Sequence, residues 1–371
     1  MTDENDPTRD EHTTSDGDAD KWAATRAAEA IKDNLAVKLR EAEARGEPLD
    51  PAVIDAAYDA LASVAALARR SATSSQAITL GAVAAGYWER LAARRDATPT
   101  GLAALDEALG GGLQPGRLVA LLGGPGAGKT ALACQLAEHV AYAGRPVVYL
   151  TLEDAAHILT AKTLARLYDL DYGAAMHGYT DQRQRITAAL AQLAERRSAE
   201  RLLYVDDTGR LSLAQLVGIA RAHFERYNAE RASDTGGGPG LLVVDYLQRW
   251  ARAQRGADTR DDLRQAVGRA ADDLSNLSRE LGCTVLALSS MNRASGYGKN
   301  GNVNALAAGK ESGDLEYSAD VLMALVEDEE RSASGDRQAR KLRLDKNRQG
   351  GVAEIALNWR GSRQQFTGVG K

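Results

Sequence analysis

Cysteine is nearly absent from this chain. Cys134 and Cys283 are far apart and lack a paired ligand spacing, which argues against both a disulfide framework and a zinc site. Each reads as a small core residue. No apolar run approaches the roughly 20 residues needed to cross a bilayer. The opening stretch MTDENDPTRDEHTTSDGDAD has neither the basic start nor the apolar centre of a secretory signal, so a cytoplasmic protein without a membrane role is expected. No internal repeat is present. There is also no excess of positive charge: the 371 residues carry a formal net charge of −5, which at first sight disfavours nucleic acid. The deficit is local. Residues 1–20 hold eight acids against Arg9, a net −7, which leaves about +2 on the remainder and room for a basic surface.

What is present changes character along the chain. Residues 1–20 have almost no large apolar side chains, the composition of an acidic tail that stays disordered because burial cannot offset its ordering entropy. Residues 21–96 read as a small all-α region. Ile31, Leu35 and Leu39 keep helical spacing, RGEPLDP stops one helix and starts another, and SATSS at 71–75 breaks the chain again. A further helix is expected over 76–95, with Val83, Tyr87 and Leu91 on one face, packed either within its own domain or on a neighbouring subunit. From residue 97 to 371 the rhythm becomes that of an α/β domain. Short apolar runs, RLVALL, PVVYLTL, LLYVDD, LLVVDYL and CTVLALSS, alternate with amphipathic stretches, which predicts a mainly parallel central sheet with helices on both faces. RKLRLDKNRQGGVAEIALNW predicts two strands around a Gly-Gly turn.

The stretch LLGGPGAGKTA carries the chemistry. Gly123, Gly128, Lys129 and Thr130 satisfy the phosphate-binding pattern G-x-x-x-x-G-K-[ST], between the apolar run LVALL and the helical run TALACQLAEHVAYA. A chance glycine-rich turn would lack that strand before it and that helix after it. Backbone amides of Gly123, Gly124, Pro125, Gly126, Ala127, Gly128, Lys129, Thr130 and Ala131 form the candidate nucleotide-binding loop, less the amide that Pro125 lacks. Lys129 is expected against the β- and γ-phosphates of ATP and Thr130 on Mg²⁺. Four apolar residues in LLVVDYLQ drive Asp245 to the carboxyl end of a buried strand, where it is the second candidate magnesium ligand rather than a plain helix cap. Hydrolysis needs a base for water, and YLTLED offers Glu153, with Asp154 as the neighbouring alternative.

PTGLAALDEALGGGLQPGRLVALLGGPGAGKT, YLTLE, LLYVDDT, LLVVDYLQ, LALSSMNR, KESGDLEYSADVLMALVED and DKNRQGG occur in one order over about residues 97–366. Together they resemble the C-terminal RecA-like motor of DnaB-type replicative helicases. RecA, RadA and KaiC relatives share the first block, whereas KESG and KNRQGG are DnaB-like. The resemblance implies a RecA-like P-loop NTPase fold and a homo-hexameric ring with ATP between subunits and single-stranded DNA in its channel. It implies Glu153 as the activator of water. It also implies Lys346 and Arg348 as cations reaching a neighbour's γ-phosphate, although alone those two would read as a solvated hairpin tip. Lys310, Glu311, Ser312 and Gly313 correspond to the family's R-E-S-G channel loop, with Lys310 in place of its Arg; Arg293, in the Gly-rich segment just upstream, is a further candidate DNA contact. Ser290 stands where the family carries a Gln that senses the γ-phosphate.

The expected function is therefore an ATP-driven helicase motor of DNA replication. Two other readings share the P-loop core: a RadA/RecA-like recombination or repair ATPase, and a KaiC-like ATP-gated regulatory ring without unwinding. A replication initiator, loader or primase is the class of protein partner the resemblance brings. The 95 N-terminal residues are shorter than the family's primase-binding region and carry no motif for such a partner.

Overall fold

The computed structural model describes residues 16–57, 60, 61, 64, 79–85, 87, 88, 97–178, 181–206, 211–229, 239–254, 263–290, 313–331 and 335–369. They divide into two compact units, Met1–Tyr87 with Ser212–Leu216, and Trp88–Leu211 with Val217–Lys371. Among the described residues no helix is long and apolar enough to cross a membrane.

In the first unit a helix runs over Asp16–Arg45, so its first turn begins within the acidic stretch; residues 1–15 lie outside the described residues. Gly46, at φ 68°, stops it, and the amides of Gly46 and Glu47 bond back to the carbonyls of Glu43 and Ala42. The next helix covers residues 51–57. Asp50 caps it by accepting from the Ala52 amide at 2.9 Å, with Pro51 at the first helical position. RGEPLDP thus acts as the helix break its residues predict. Of the helix expected over 76–95, the described span Leu80–Ala85 is helical.

The second unit is built on nine strands: β1 (Arg117–Gly123), β2 (Val147–Thr151), β3 (Leu202–Asp206), β4 (Leu241–Asp245), β5 (Thr284–Ser290), β6 (Val321–Glu327), β7 (Arg337–Asn347), β8 (Ala353–Arg360) and β9 (Gln365–Gly368). They form one sheet in the order β3-β2-β4-β5-β1-β6-β7-β8-β9. The pairs from β3 to β6 are parallel and those from β6 to β9 antiparallel. Both faces of β1 are buried. Val119 and Leu121 pack with Leu132, Leu136 and Val140 of the helix Lys129–Tyr142, while Leu118, Ala120 and Leu122 are equally inaccessible. Such two-sided burial is why the parallel strands read as unbroken apolar runs. The five expected runs and the Gly-Gly hairpin are all strands. The sequence reading did not single out β6, VLMALVE, or the short β9, QFTG, as strands.

Register decides where chemistry collects. Gly123 lies beside Ser290 of β5 and Leu325 of β6, and Thr151 lies beside Asp245. The P-loop, Asp245 and the segment holding Glu153 therefore gather at the carboxyl ends of the parallel strands, the ligand side of an open α/β sheet.

Candidate nucleotide site

β1 ends in the loop 123–128, and the P-loop helix Lys129–Tyr142 starts at Gly128, whose φ of 97° is left-handed. A Cβ there would lie 2.8 Å from the Phe366 ring, so both conformation and space require glycine. A Cβ on Gly124 or Gly126 would meet nothing within 4 Å; that side of the loop is open. Lys129 is 4% exposed and donates to the carbonyls of Gly123 at 2.9 Å and Gly124 at 3.0 Å. Burial lowers the pKa of its ammonium, while the nearby Asp245 and Glu153 carboxylates oppose the shift.

Asp245 is 1% exposed. Its Oδ2 accepts from the Tyr149 hydroxyl at 2.8 Å, and its Oδ1 is buried without a protein partner. Burial raises its pKa to about 6, against the pull of the Tyr149 and Thr130 hydroxyls. An orphaned carboxylate oxygen beside a threonine hydroxyl and an open glycine loop suits a hard cation held together with phosphates. Glu153 is exposed at the mouth; burial first, and then the Glu153 and Asp245 carboxylates, push the pKa of the neighbouring Tyr246 hydroxyl up. Asp154, the alternative base, is engaged elsewhere: it accepts from Lys162 at 3.0 Å.

Lys346 and Arg348 stand back from the loop, toward the amino ends of β1 and β6. Lys346 pairs with Leu322 of β6, which pairs with Ala120 of β1, and the Arg348 amide bonds the Asp320 carbonyl. At about 3.3 Å per residue they lie roughly 10 and 16 Å back along the strands from Gly123. Lys346 donates to the carbonyls of Glu316 at 2.5 Å and Tyr317 at 3.2 Å. Arg348 donates to Tyr317 at 3.0 Å and pairs with the buried Asp320 at 3.5 Å, its own side chain 44% exposed. Burial and the neighbouring Arg348 lower the Lys346 pKa.

A family model for the DnaB-like helicase C terminal domain matches residues 97–368. The chain belongs to this family. The replicative DNA helicase DnaB of Leifsonia xyli is 26% identical over 275 residues, covering 72% of this chain and 55% of that protein. That of Geobacillus stearothermophilus is 27% identical over 263 residues, 70% of this chain and 54% of that protein. The chain thus spans about half the length of these relatives, and about a fifth of the longer DnaB of Synechocystis sp., which is 30% identical over 51% of this chain. Among solved structures, one ATPase domain superposes with a TM-score of 0.64 at 18% identity, covering 79% of this chain and 99% of that one. A DnaB-like replicative helicase, solved in a study of its interactions with primase, gives 0.68 at 19% identity, covering 95% and 76%. Both likenesses establish the RecA-like ATPase fold.

Within this DnaB-like domain the P-loop residues, Asp245, Thr130 and Glu153 come together, and Lys346 and Arg348 do not join them. Gly313 opens the helix Gly313–Ser318; Arg293, Lys310, Glu311 and Ser312 lie outside the described residues. Sequence reasoning missed three neighbours of the site. Tyr149 holds Asp245, and Phe366 lies under Gly128. Gln248 spans the end of β5, donating to Ser289 Oγ at 2.7 Å and Ser290 O at 3.3 Å, while the Ser290 amide donates back to its Oε1 at 3.3 Å. An amide from the β4 side therefore sits beside Ser290. The helical spacing of LQRW hides it, because only register brings β4 and β5 together.

Proposed function

We propose that this protein is an ATP-driven motor that assembles as a ring, most simply a homo-hexamer, moves on single-stranded DNA and separates duplex strands during replication in the cytoplasm. The observation carrying this reading is the separation within one sheet of the nucleotide loop from the basic pair Lys346 and Arg348. A chain that holds phosphates at the strand ends and presents cations well back from them completes its site by pairing with a copy of itself.

In this reading the P-loop amides and Lys129 hold the β- and γ-phosphates of ATP. Thr130 and Asp245 would hold Mg²⁺, which would neutralise charge on the phosphate oxygens. Glu153 orients the attacking water and takes its proton. Arg348 and Lys346 of the adjacent copy stabilise charge on the transferring phosphoryl group, a contribution of about 10³ to 10⁵ in rate for cations acting in trans. The segment around Lys310, Glu311 and Gly313, with Arg293, contacts DNA phosphates without reading bases. A replication initiator, loader or primase is the corresponding class of protein partner.

The test is ATP turnover with and without single-stranded DNA, together with opening of a forked duplex. Stimulation and unwinding are expected, with binding that weakens as salt rises, at about −0.7 in log–log slope per neutralised phosphate. Turnover indifferent to DNA would sink the motor reading and leave an ATP-gated ring; stimulation with strand exchange but no unwinding would point to a recombination ATPase.

A further inference from the structure

β2 reads VVYLT, an aliphatic strand interrupted by one tyrosine that is 0% exposed. A phenol hydroxyl carried into such a core needs a partner. Tyr149 finds it in Asp245 Oδ2 at 2.8 Å. Register explains the reach. Tyr149 lies beside Val243 and Thr151 beside Asp245, so period-two alternation puts tyrosine and aspartate on one face, two positions apart. The Tyr204 ring packs edge-on against the Tyr149 ring with centroids 5.7 Å apart, and Cys134 Sγ of the P-loop helix lies 3.8 Å from the hydroxyl.

We propose that Tyr149 is a positioning residue for metal capture, fixing one oxygen of Asp245 so that the other, Oδ1, is presented to the cation. The inference rests on the ATP and Mg²⁺ reading of this site. An aspartate's terminal torsion is broad, so an unheld carboxylate exchanges its oxygens and samples orientations that miss the cation. The phenol removes that freedom from the core side, and the buried Oδ1 is left without a protein partner. A buried acceptor of this kind points to an ion or water rather than to protein. Neither a P-loop pattern nor the run before Asp245 signals the tyrosine.

The test is titration of a fluorescent ATP analogue into wild type and Tyr149→Phe, once with Mg²⁺ and once with EDTA. Phenylalanine keeps the ring, and circular-dichroism melting verifies folding first. In EDTA the two affinities are expected within about twofold. The affinity gained on adding Mg²⁺ is expected to drop about tenfold in the variant, the scale of losing a partner that orients a metal ligand. In an Asp245→Asn background Tyr149→Phe should change that gain no further. Cys134→Ala, which leaves the phenol–carboxylate bond intact, should keep the full gain. An equal Mg²⁺ gain in wild type and Tyr149→Phe overturns the proposal, as does a loss that persists in the Asp245→Asn background or appears equally in Cys134→Ala. A wild type that gains nothing from Mg²⁺ sinks the metal-nucleotide reading itself, an outcome distinct from these.

Discussion

The parallel and antiparallel halves of the sheet solve different problems. β1, β2, β4 and β5 are buried along nearly their whole length, and the glycine-rich loop and the buried Asp245 carboxylate lie at their carboxyl ends. β7 and β8 alternate buried and half-exposed positions, and Lys346 sits at the end of β7 with Arg348 just beyond it. Phosphates are well held by converging strand ends, which one chain builds alone. A cation meant for another copy, as proposed for Arg348, has to stand where that copy can reach it, and the partly exposed turn after β7 supplies such a place.

Disabling one half while sparing the other breaks this comparison most severely. Arg348→Ala should lower kcat by about 10³ or more and leave nucleotide affinity within about threefold, because Arg348 lies far from its own P-loop. Turnover and fluorescent-nucleotide binding check the two arms. Mixing that chain with Glu153→Gln should restore activity above either alone; no restoration would remove the assignment of Arg348 to a neighbour's nucleotide.

The next largest effect comes where the halves meet. Phe366 of β9 lies beneath Gly128, stacks with Trp359 at 4.4 Å between centroids, and is clipped to the P-loop helix by Gln135 through two bonds of 2.8 Å. Phe366→Ala should cost about 3–5 kcal/mol of stability by leaving a cavity, read as a lower urea midpoint. A smaller effect is expected from Asp320→Ala. Asp320 accepts from Arg117 at 3.0 Å and from the Leu118 amide at 3.1 Å, beside its pairing with Arg348. Both arginines are partly exposed, so about 2 kcal/mol is expected in the same measurement, with Lys129-dependent nucleotide binding retained.

The smallest effect lies in neither half. His223 Nε2 lies 2.9 Å from the Arg201 carbonyl, and since a carbonyl only accepts, Nε2 carries the proton and donates. Burial lowers the pKa of this histidine. The unfolded chain then takes up the proton more readily, so stability is full above about pH 6.5 and falls as pH drops through the lower folded value. Wild type should lose melting temperature below pH 6.5 relative to His223→Gln; parallel curves would contradict the shift.

Much of the nucleotide half was legible because its demands are local. A P-loop needs glycines, a lysine and a helix start in consecutive positions, and a doubly buried strand needs an unbroken apolar run. β9 was not legible: QFTG has one large apolar side chain, and it becomes a strand through Trp359 and the Gln135 clip. Tyr149 and Gln248 were hidden for a related reason, since each acts on a residue of an adjacent strand distant in sequence. The separation of Lys346 and Arg348 from the P-loop was equally invisible in DKNRQGG, which reads as a plain hairpin tip without its register.

By itself the sequence determined most of the buried strands, the glycine-rich loop that joins β1 to its helix and the carboxylate that closes β4, because steric and hydrophobic patterning act over a few neighbouring residues. Only the tertiary structure decided which oxygen of Asp245 is free, what lies beneath Gly128 and where along the strands the cations stand. Those depend on strand order and register across gaps of up to some 240 residues, such as Gly128 to Phe366, and no local pattern encodes them.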